Sequence, residues 1–184
     1  MNSSALPQAE QAQLRLMQPA DLAAYKALRD AMLMRHEDAF TSDAATEATR
    51  PAASYQARLH ASVGGKALFT LVAWQGGRMV GALTCEREPR LKVRHVAHLV
   101  GMMVADEMQG QGLGRRLLNQ ALALLRSEPE LEQVTLSVSA GNLAALRLYE
   151  GAGFTRYGLL PRAIRLPDGR YIDKALMVCP LPTL

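Results

Sequence analysis

Two short segments of the chain carry residue types that could bind an anionic ligand and act on it. The first is the glycine-rich turn Gln109-Gly110-Gln111-Gly112-Leu113-Gly114, between an apolar, strand-like run at 99–104 and a helix-patterned stretch, Leu113–Arg126. Glycine allows positive φ and close approach of the backbone to an anion, and a helix start adds exposed amides and a positive dipole end. The turn therefore predicts a phosphate-binding site.

Two familiar phosphate-binding motifs do not fit this turn. A dinucleotide-binding fingerprint needs a glycine or alanine at Arg115 and an acid at the end of a following strand, and residues 134–138 offer none. A P-loop needs Gly-Lys-Ser/Thr, but Gly114 is followed by Arg115 and Arg116. The phosphate must belong to another class of ligand.

The second segment is a predicted helix that starts at Asn142 and contains Tyr149. These residues are seven positions apart. That spacing is two helical turns, or about 10.5 Å of rise, so both side chains point to the same side of the helix. One face of this helix could therefore contact a long ligand.

The composition indicates one globular domain. The chain has 184 residues, of which 49% are hydrophobic and 21% charged. Residues 1–13 are polar and rich in Ala, Gln and Ser, which predicts a flexible tail before a single domain at 14–184. No run approaches the ~20 apolar residues of a membrane span, and the N-terminus lacks a signal-peptide pattern, so we expect a cytoplasmic protein.

Cysteine usage and charge exclude other classes. Cys85 and Cys179 have no metal-like spacing, so neither a zinc site nor a disulfide framework is predicted. The net charge of +4 could suggest nucleic acid, but aromatic residues make up only 5% and do not alternate with basic ones. We expect no metal and no nucleic-acid or membrane partner; the basic excess suits a polyanionic cofactor.

Periodicity predicts an α/β (α+β) fold with a mixed, mostly antiparallel sheet of about seven strands and about four flanking helices. The apolar run at 95–104 predicts a strand buried on both faces. The last two strands form a closing hairpin joined by a long arm around Pro161. The predicted strands are 14–17, 68–74, 79–87, 95–104, 134–138, 154–157 and 171–178, and the predicted helices are Leu22–Arg35, 51–63, Leu113–Arg126 and 142–150.

These residues together resemble the GNAT superfamily of acyl-CoA-dependent N-acyltransferases. The resemblance rests on Val104 with the glycine turn, the segment from Ser139 to Glu150, and Gly153-Phe154. It is close across residues 95–155, and elsewhere it is compatible in the order of elements. It implies the GNAT fold and acetyl-CoA as acyl donor.

The resemblance also implies roles for the cofactor-binding residues. The strand edge at Met102, Met103 and Val104 would pair with pantetheine amides as an added strand does, and Asn142 would hydrogen-bond the same arm. Tyr149 would lie near the thioester sulfur and protonate the leaving thiolate. A backbone N–H at a bulge near 100–103 would stabilise the oxyanion. The pyrophosphate would be held by the backbone of Gln109, Gly110, Gln111, Gly112, Leu113, Gly114 and Arg115.

The general base is left open by the sequence. Relatives that acetylate ribosomal-protein N-termini carry a Glu five residues before the helix Asn, where this chain has Ser137. In the histone-acetylating branch the base is a Glu six residues before the position of Val104, which is His98 here. Histidine titrates near neutral pH and could take the proton directly or through water. His95 and Glu86 are alternatives.

Several of these residues also have a purely structural interpretation. The turn could be a tight strand-to-helix connection, Tyr149 a core aromatic, and His98 a satisfied buried histidine. Asp173 could contact a cationic substrate or be an ordinary strand-edge charge.

We predict transfer of an acetyl group to a primary amine of a small molecule or amino-acid-like acceptor, by direct attack in a ternary complex. The alternatives are a protein N-terminal or lysine acetyltransferase, and a CoA-binding regulatory module that has lost catalysis. An open groove would favour a protein acceptor; a closed pocket lined by residues 25–40 and 158–173 would favour a small one. A homodimer stays open, because the closing arm could pair with a second subunit.

Overall fold

A seven-stranded sheet forms the centre of the computed structural model, which describes residues 11–181. The strand order is β1-β2-β3-β4-β5-β7-β6. All neighbouring strands are antiparallel except β4 and β5, which are parallel. The predicted mixed, mostly antiparallel sheet is confirmed. Its strands are β1 Gln13–Leu16, β2 Phe69–Gln75, β3 Arg78–Arg87, β4 Val96–Val104, β5 Gln133–Ser139, β6 Thr155–Arg165 and β7 Tyr171–Pro180.

Helices cover the sheet. The two long helices, α1 (Leu22–Arg35) and α3 (Leu113–Arg126), have the predicted bounds, and both contact β3 and β4. The short helices are α2 (Ala44–Ala48) and α4 (Leu143–Glu150). None of the helices within residues 11–181 has the length and hydropathy that crossing a membrane requires.

The predicted helix at 51–63 is wrong. Two 3₁₀ segments, Ala52–Arg58 and Ala61–Val63, replace it, with extended backbone at Leu59 and His60 between them. Leu59 is buried in the core, and His60 forms an isolated bridge with Ala67. Core packing and this bridge therefore interrupt the helix. The sequence also missed α2, where the Asp43 side chain accepts from the backbone N–H of Thr46 at 2.7 Å.

The closing hairpin also differs from the prediction. Residues 158–165 do not form an arm but continue β6, with register shifts between Arg156 and Gly158 and between Leu160 and Ile164. β6 is an edge strand, where Pro161 does not have to donate to a neighbouring strand. The next residue, Arg162, has φ 52°, and its N–H donates to Asp173 Oδ1 at 2.7 Å. The chain thus absorbs the proline without leaving the sheet.

At the N-terminal side, the predicted tail of residues 1–13 falls mostly outside the described residues. Ala12 is buried, and its carbonyl accepts from the Arg116 guanidinium at 2.6 Å; β1 begins at Gln13. The core packs the sheet against α1, through Tyr25, Leu28 and Met32, and against the apolar stripe of α3. The buried residues of this stripe are Leu113, Leu117, Leu118, Ala121, Leu122 and Leu125.

Candidate active site

The site begins where two neighbouring strands separate. β4 and β5 are paired only from Val96 with Gln133 to His98 with Thr135, and beyond those residues they diverge. A cleft of about 980 Å³ lies between them, lined by residues 99–104 of β4 and 136–138 of β5. This volume is at the upper end of the range typical of small-molecule sites. The divergence therefore makes room for a ligand inside the sheet.

The separation also corrects the prediction that β4 is buried on both faces. Ala97, Leu99 and Met103 are buried, whereas Val100, Met102 and Val104 are only partly covered. The three partly covered residues line the cleft. Apolar residues of this strand thus line a ligand cavity as well as the core. An apolar run in the sequence does not distinguish these two roles.

The glycine turn has the conformation of an anion cradle. Gly110 and Gly112 have φ of 73° and 78°, and a Cβ placed on either would meet no atom within 4 Å. The first hydrogen bond into α3 runs from Arg116 N to Gly112 O at 3.0 Å. The backbone N–H groups of the first helical turn before it are therefore available to a ligand. Open space beside free amides fits the diphosphate of an acyl-CoA.

Most of the predicted turn residues line the cleft. Gln111 does not: its side-chain amide donates to the carbonyl of Glu107 at 2.6 Å. Gln109 lines the cleft, and its amide donates to Asp106 Oδ1 at 3.0 Å. The predicted cofactor residues that line it are Met102, Met103, Val104, Gln109, Gly110, Gly112, Leu113, Gly114, Arg115, Asn142 and Tyr149.

β4 contains the bulge that the sequence predicted. Val100 pairs with Thr84 and Met103 with Ala82, so Gly101 and Met102 face a shifted register on β3. Gly101 has φ 60°, which glycine adopts without strain. A bulge re-aims backbone groups away from the regular ladder. The bulge in β4 re-aims the backbone groups of Gly101 and Met102, which line the cleft.

Tyr149 and Asn142 both lie on the cleft wall formed by α4. The Tyr149 hydroxyl donates to the Met102 sulfur at 3.3 Å, and its ring packs edge-on against Phe154 with centroids 5.8 Å apart. Burial raises the pKa of Tyr149 to about 12, so the phenol keeps its proton at neutral pH. The Asn142 carbonyl oxygen accepts from Ala145 N at 3.0 Å and caps α4, which leaves its NH₂ group for a ligand.

The three candidate bases lie away from the cleft lining. His98 shares a hydrogen bond with Thr135 Oγ1 at 2.7 Å, at the last paired position before the strands diverge. Its Nε2 is 3.7 Å from Glu88 Oε2. Glu86 accepts from Arg58 Nη1 at 2.6 Å, and the His95 carbonyl accepts from two backbone amides. Of the three, His98 is placed closest in sequence to the cleft-lining segment that starts at Leu99.

The other wall of the cleft contains residues that sequence reasoning missed. On this α1 side of the cleft, part of the predicted acceptor segment 25–40 is present, namely Arg29, Met32, His36, Ala39 and Phe40. The residues that the sequence did not single out are Thr41, Ser42, Arg58 and Lys174. Arg58 and Lys174 come from distant parts of the chain, so no local motif could have identified them. Asp173, which the sequence singled out, instead lines a smaller neighbouring pocket of about 640 Å³ with His36 and Asp38.

An anion cradle, two diverging strands with a bulge, and a buried tyrosine between them are the features expected of an acyl-CoA-dependent acyltransferase. The sequence model of the Acetyltransferase (GNAT) family matches residues 30–154. The chain therefore belongs to the GNAT acetyltransferase family. The fold and the family predicted from the sequence are confirmed.

Similar proteins agree with this assignment. The chain is 32% identical to phosphinothricin N-acetyltransferase of Alcaligenes faecalis over 112 residues, which is 60% of this chain and 56% of that enzyme. It thus spans little more than half the length of that relative. A GNAT-family acetyltransferase of Streptococcus pneumoniae shares the fold with a TM-score of 0.82 at 24% identity, covering 94% of this chain and 100% of the other.

A second solved structure contains the cofactor. It is a GNAT superfamily phosphinothricin acetyltransferase of Sinorhizobium meliloti in complex with AcCoA. Its TM-score is 0.76 at 21% identity, with 94% of this chain and 89% of the other covered. This likeness shows a shared fold.

Proposed function

We propose that this protein transfers the acetyl group of acetyl-CoA to a primary amine of a small-molecule or amino-acid-like acceptor, by direct attack in a ternary complex. When bound, acetyl-CoA supplies an activated thioester, so the protein has to position the reactants and move protons. The observation that carries the proposal is the buried Tyr149 hydroxyl at the β4 bulge, in the cleft that also contains the anion cradle.

Each side chain has a role that its surroundings support. The free amides at the start of α3 and Arg115 would hold the diphosphate. Residues 102–104 of β4 have no β5 partner, so their backbone groups can pair with an extended amide-bearing arm. Tyr149 would give its proton to the leaving thiolate, and a backbone N–H at the bulge would donate to the developing oxyanion.

Direct attack is supported by the cysteines. An acetyl-enzyme formed on cysteine would need a thiol in the cleft, and neither Cys85 nor Cys179 lines it. Both thiols are buried, and burial raises their pKa values, which disfavours the reactive thiolate. Both walls of the cleft belong to one cavity, so the donor and the acceptor can be bound at the same time.

A small acceptor is favoured by the segment that covers the α1 side. The Ser139 hydroxyl donates to the carbonyl of Asp38, Lys174 donates to Thr41, and His36 contacts Asp106 at 2.6 Å. Residues 36–41 are therefore tied to β5, to β7 and to the segment after β4. A segment held in place over this side of the cleft favours a small acceptor over a protein chain. Residues 171–173 of the second predicted acceptor segment line the smaller pocket instead.

The proposal is tested by a thiol-release assay with acetyl-CoA and a panel of amino acids, polyamines, aminoglycosides and short peptides. CoA binding is measured in parallel by calorimetry. We expect CoA binding and turnover of a small amine. Turnover of peptides alone would identify a protein acetyltransferase. CoA binding without turnover of any acceptor would favour the regulatory module, and no CoA binding would refute the assignment of the cleft.

A further inference from the structure

The charges along the central cleft all have the same sign. Among the described residues that line it, the formally charged side chains are Arg29, Arg58, Arg115 and Lys174, and no Asp or Glu is present. Arg115 directly follows the glycine turn, in the first turn of α3, where a diphosphate would account for its charge. The other three lie on the α1 side, away from the anion cradle. Their charges need a separate explanation.

The two arginines on the α1 side already have carboxylate partners. Arg29 Nε lies 3.2 Å from Glu47 Oε2, and Arg58 Nη1 lies 2.6 Å from Glu86 Oε1. Arg29 also donates to Ser42 Oγ at 2.8 Å. These contacts fix the guanidinium groups in place and balance much of their charge. They form a rigid, donor-rich wall rather than an unsatisfied anion site.

Lys174 is different. Its ammonium donates to Thr41 Oγ1 at 2.6 Å, and no carboxylate among residues 11–181 pairs with it. The side chain is partly buried against the cleft, and desolvation lowers its pKa. A cation that loses water without gaining a counter-ion is costly, so a ligand anion at this position would be stabilising. The same charge repels a second cation on the acceptor.

We infer that the acceptor carries an oxyanion group, most simply a carboxylate, besides its reacting amine, and that Lys174 binds this group. The inference rests on the proposed function and specifies its substrate class. The acceptor would be a zwitterionic amino acid or a related amino acid analogue rather than a polyamine or an aminoglycoside. Asp38 and Asp173 line only the smaller neighbouring pocket and leave the cleft without a carboxylate.

The first arm of the test compares acceptors that differ only in the anion. L-methionine, L-methioninamide and 3-(methylthio)propylamine form one such set, and L-glutamate and L-phenylalanine with their counterparts extend it. We expect kcat/KM at least about tenfold higher for the carboxylates. The amine of the carboxamide loses its proton more easily, so a larger fraction of it is free at the assay pH. A preference for the acid therefore cannot reflect a larger fraction of free amine. Equal or faster turnover of the uncharged or cationic forms would overturn the inference and leave the acetyltransferase proposal standing.

The second arm tests Lys174 itself. Lys174→Gln should raise KM for the carboxylate acceptor about tenfold or more, with little change in kcat, in KM for the carboxamide or in the Kd for CoA. Lys174→Arg, which keeps the positive charge, should have a KM for the carboxylate acceptor close to that of the wild type. Lys92→Gln, at an exposed lysine outside the cleft, is the matched control and should change nothing. An unchanged KM would refute the role of Lys174, and a weakened Kd for CoA would assign the lysine to the cofactor's phosphates.

A third arm separates this inference from the proposed function. Binding of N-acetylated amino acids and of their carboxamides is measured by calorimetry in the presence of CoA, so it requires no turnover. We expect only the carboxylates to bind, and binding to weaken in Lys174→Gln. Binding of the carboxamides as tightly as the acids, or of neither, would overturn the inference even in a chain that has no transferase activity.

Discussion

Replacing Tyr149 with phenylalanine removes one proton donor from the cleft with little change to the fold. The hydroxyl makes an O–H···S contact of 3.3 Å with Met102, and the edge-on ring contact with Phe154 is kept by phenylalanine. A weak hydrogen bond is lost together with the cost of burying a hydroxyl, so we expect a change in stability within about 1 kcal/mol. The CoA dissociation constant should change by no more than about threefold.

The effect on turnover should be much larger. General acid catalysis typically accelerates a reaction by about 10²–10⁴. A thiolate is a better leaving group than an alkoxide, so its departure depends less on a proton donor. We therefore expect an effect near the lower end of that range. We therefore expect kcat to fall about 100-fold, or about 2.7 kcal/mol in the barrier. The assay is thiol release at saturating acetyl-CoA, with thermal unfolding as the control. A kcat within threefold of wild type, in a folded variant that binds CoA, would refute the acid role.

The remaining predictions concern pH, the base, the cradle and stability. Because burial raises the pKa of Tyr149 to about 12, the phenol stays protonated, and kcat should show no decline from its ionisation up to about pH 10; a decline that Tyr149→Phe abolishes would contradict this. His98→Gln should lower kcat/KM in a variant that still binds CoA, whereas an unchanged kcat/KM would transfer the base role to His95, Glu86 or water. Gly110 has φ 73°, and Gly110→Ala should raise the Kd for CoA about tenfold. The control is Gly76→Ala in the β2–β3 turn, which is strained in the same way at φ 56° and should leave the Kd unchanged. Equal effects of the two substitutions would mean that backbone strain, and not the loss of an anion site, raises the Kd. Glu47→Gln should lower the free energy of unfolding at pH 7 by about 3 kcal/mol in urea, because the buried Arg29 loses its counter-ion; an equal loss at pH 7 and pH 3 would contradict the ionic explanation.

The pH dependence of the Glu47 effect follows from its surroundings. Burial disfavours the carboxylate, but hydrogen bonds from Tyr55, Arg29 and Arg50 outweigh this, and the pKa of Glu47 in the folded state is lowered. A carboxyl with a lowered folded pKa contributes stability that is fully present above its unfolded pKa and is lost as pH falls through the folded value. The difference between wild type and Glu47→Gln should therefore be full at pH 7 and shrink below about pH 4.

The sequence predicted the elements whose signals are local. α1 and α3 have regular apolar spacing, and α3 is preceded by a glycine in the left-handed region, so their bounds were predictable. The glycine turn and the pair Asn142 and Tyr149 are also local patterns. The residues of the glycine turn other than Gln111 line the same cleft as Asn142 and Tyr149. Elements that follow one another in the chain bring their ends together at this cleft.

The sequence could not predict features that depend on long-range packing. The separation of β4 from β5 after His98 depends on how the two strands are paired. The predicted helix is interrupted at Leu59 because the Leu59 side chain is buried in the core. Lys174 and Arg58 both line the α1 side of the cleft although they are far apart in the chain. The charge of Lys174 became informative only when the structure showed it at the cleft with no carboxylate partner among the described residues.

The most direct test of the account follows the acetyl group itself. The purified protein is incubated with acetyl-CoA labelled with deuterium in the acetyl group and with an amino acid acceptor, and the products are quantified by mass spectrometry. The account predicts one labelled N-acetyl acceptor for each CoA released, and almost none from Tyr149→Phe in the same time. Release of CoA without a labelled acceptor, or the same yield from both proteins, would contradict it.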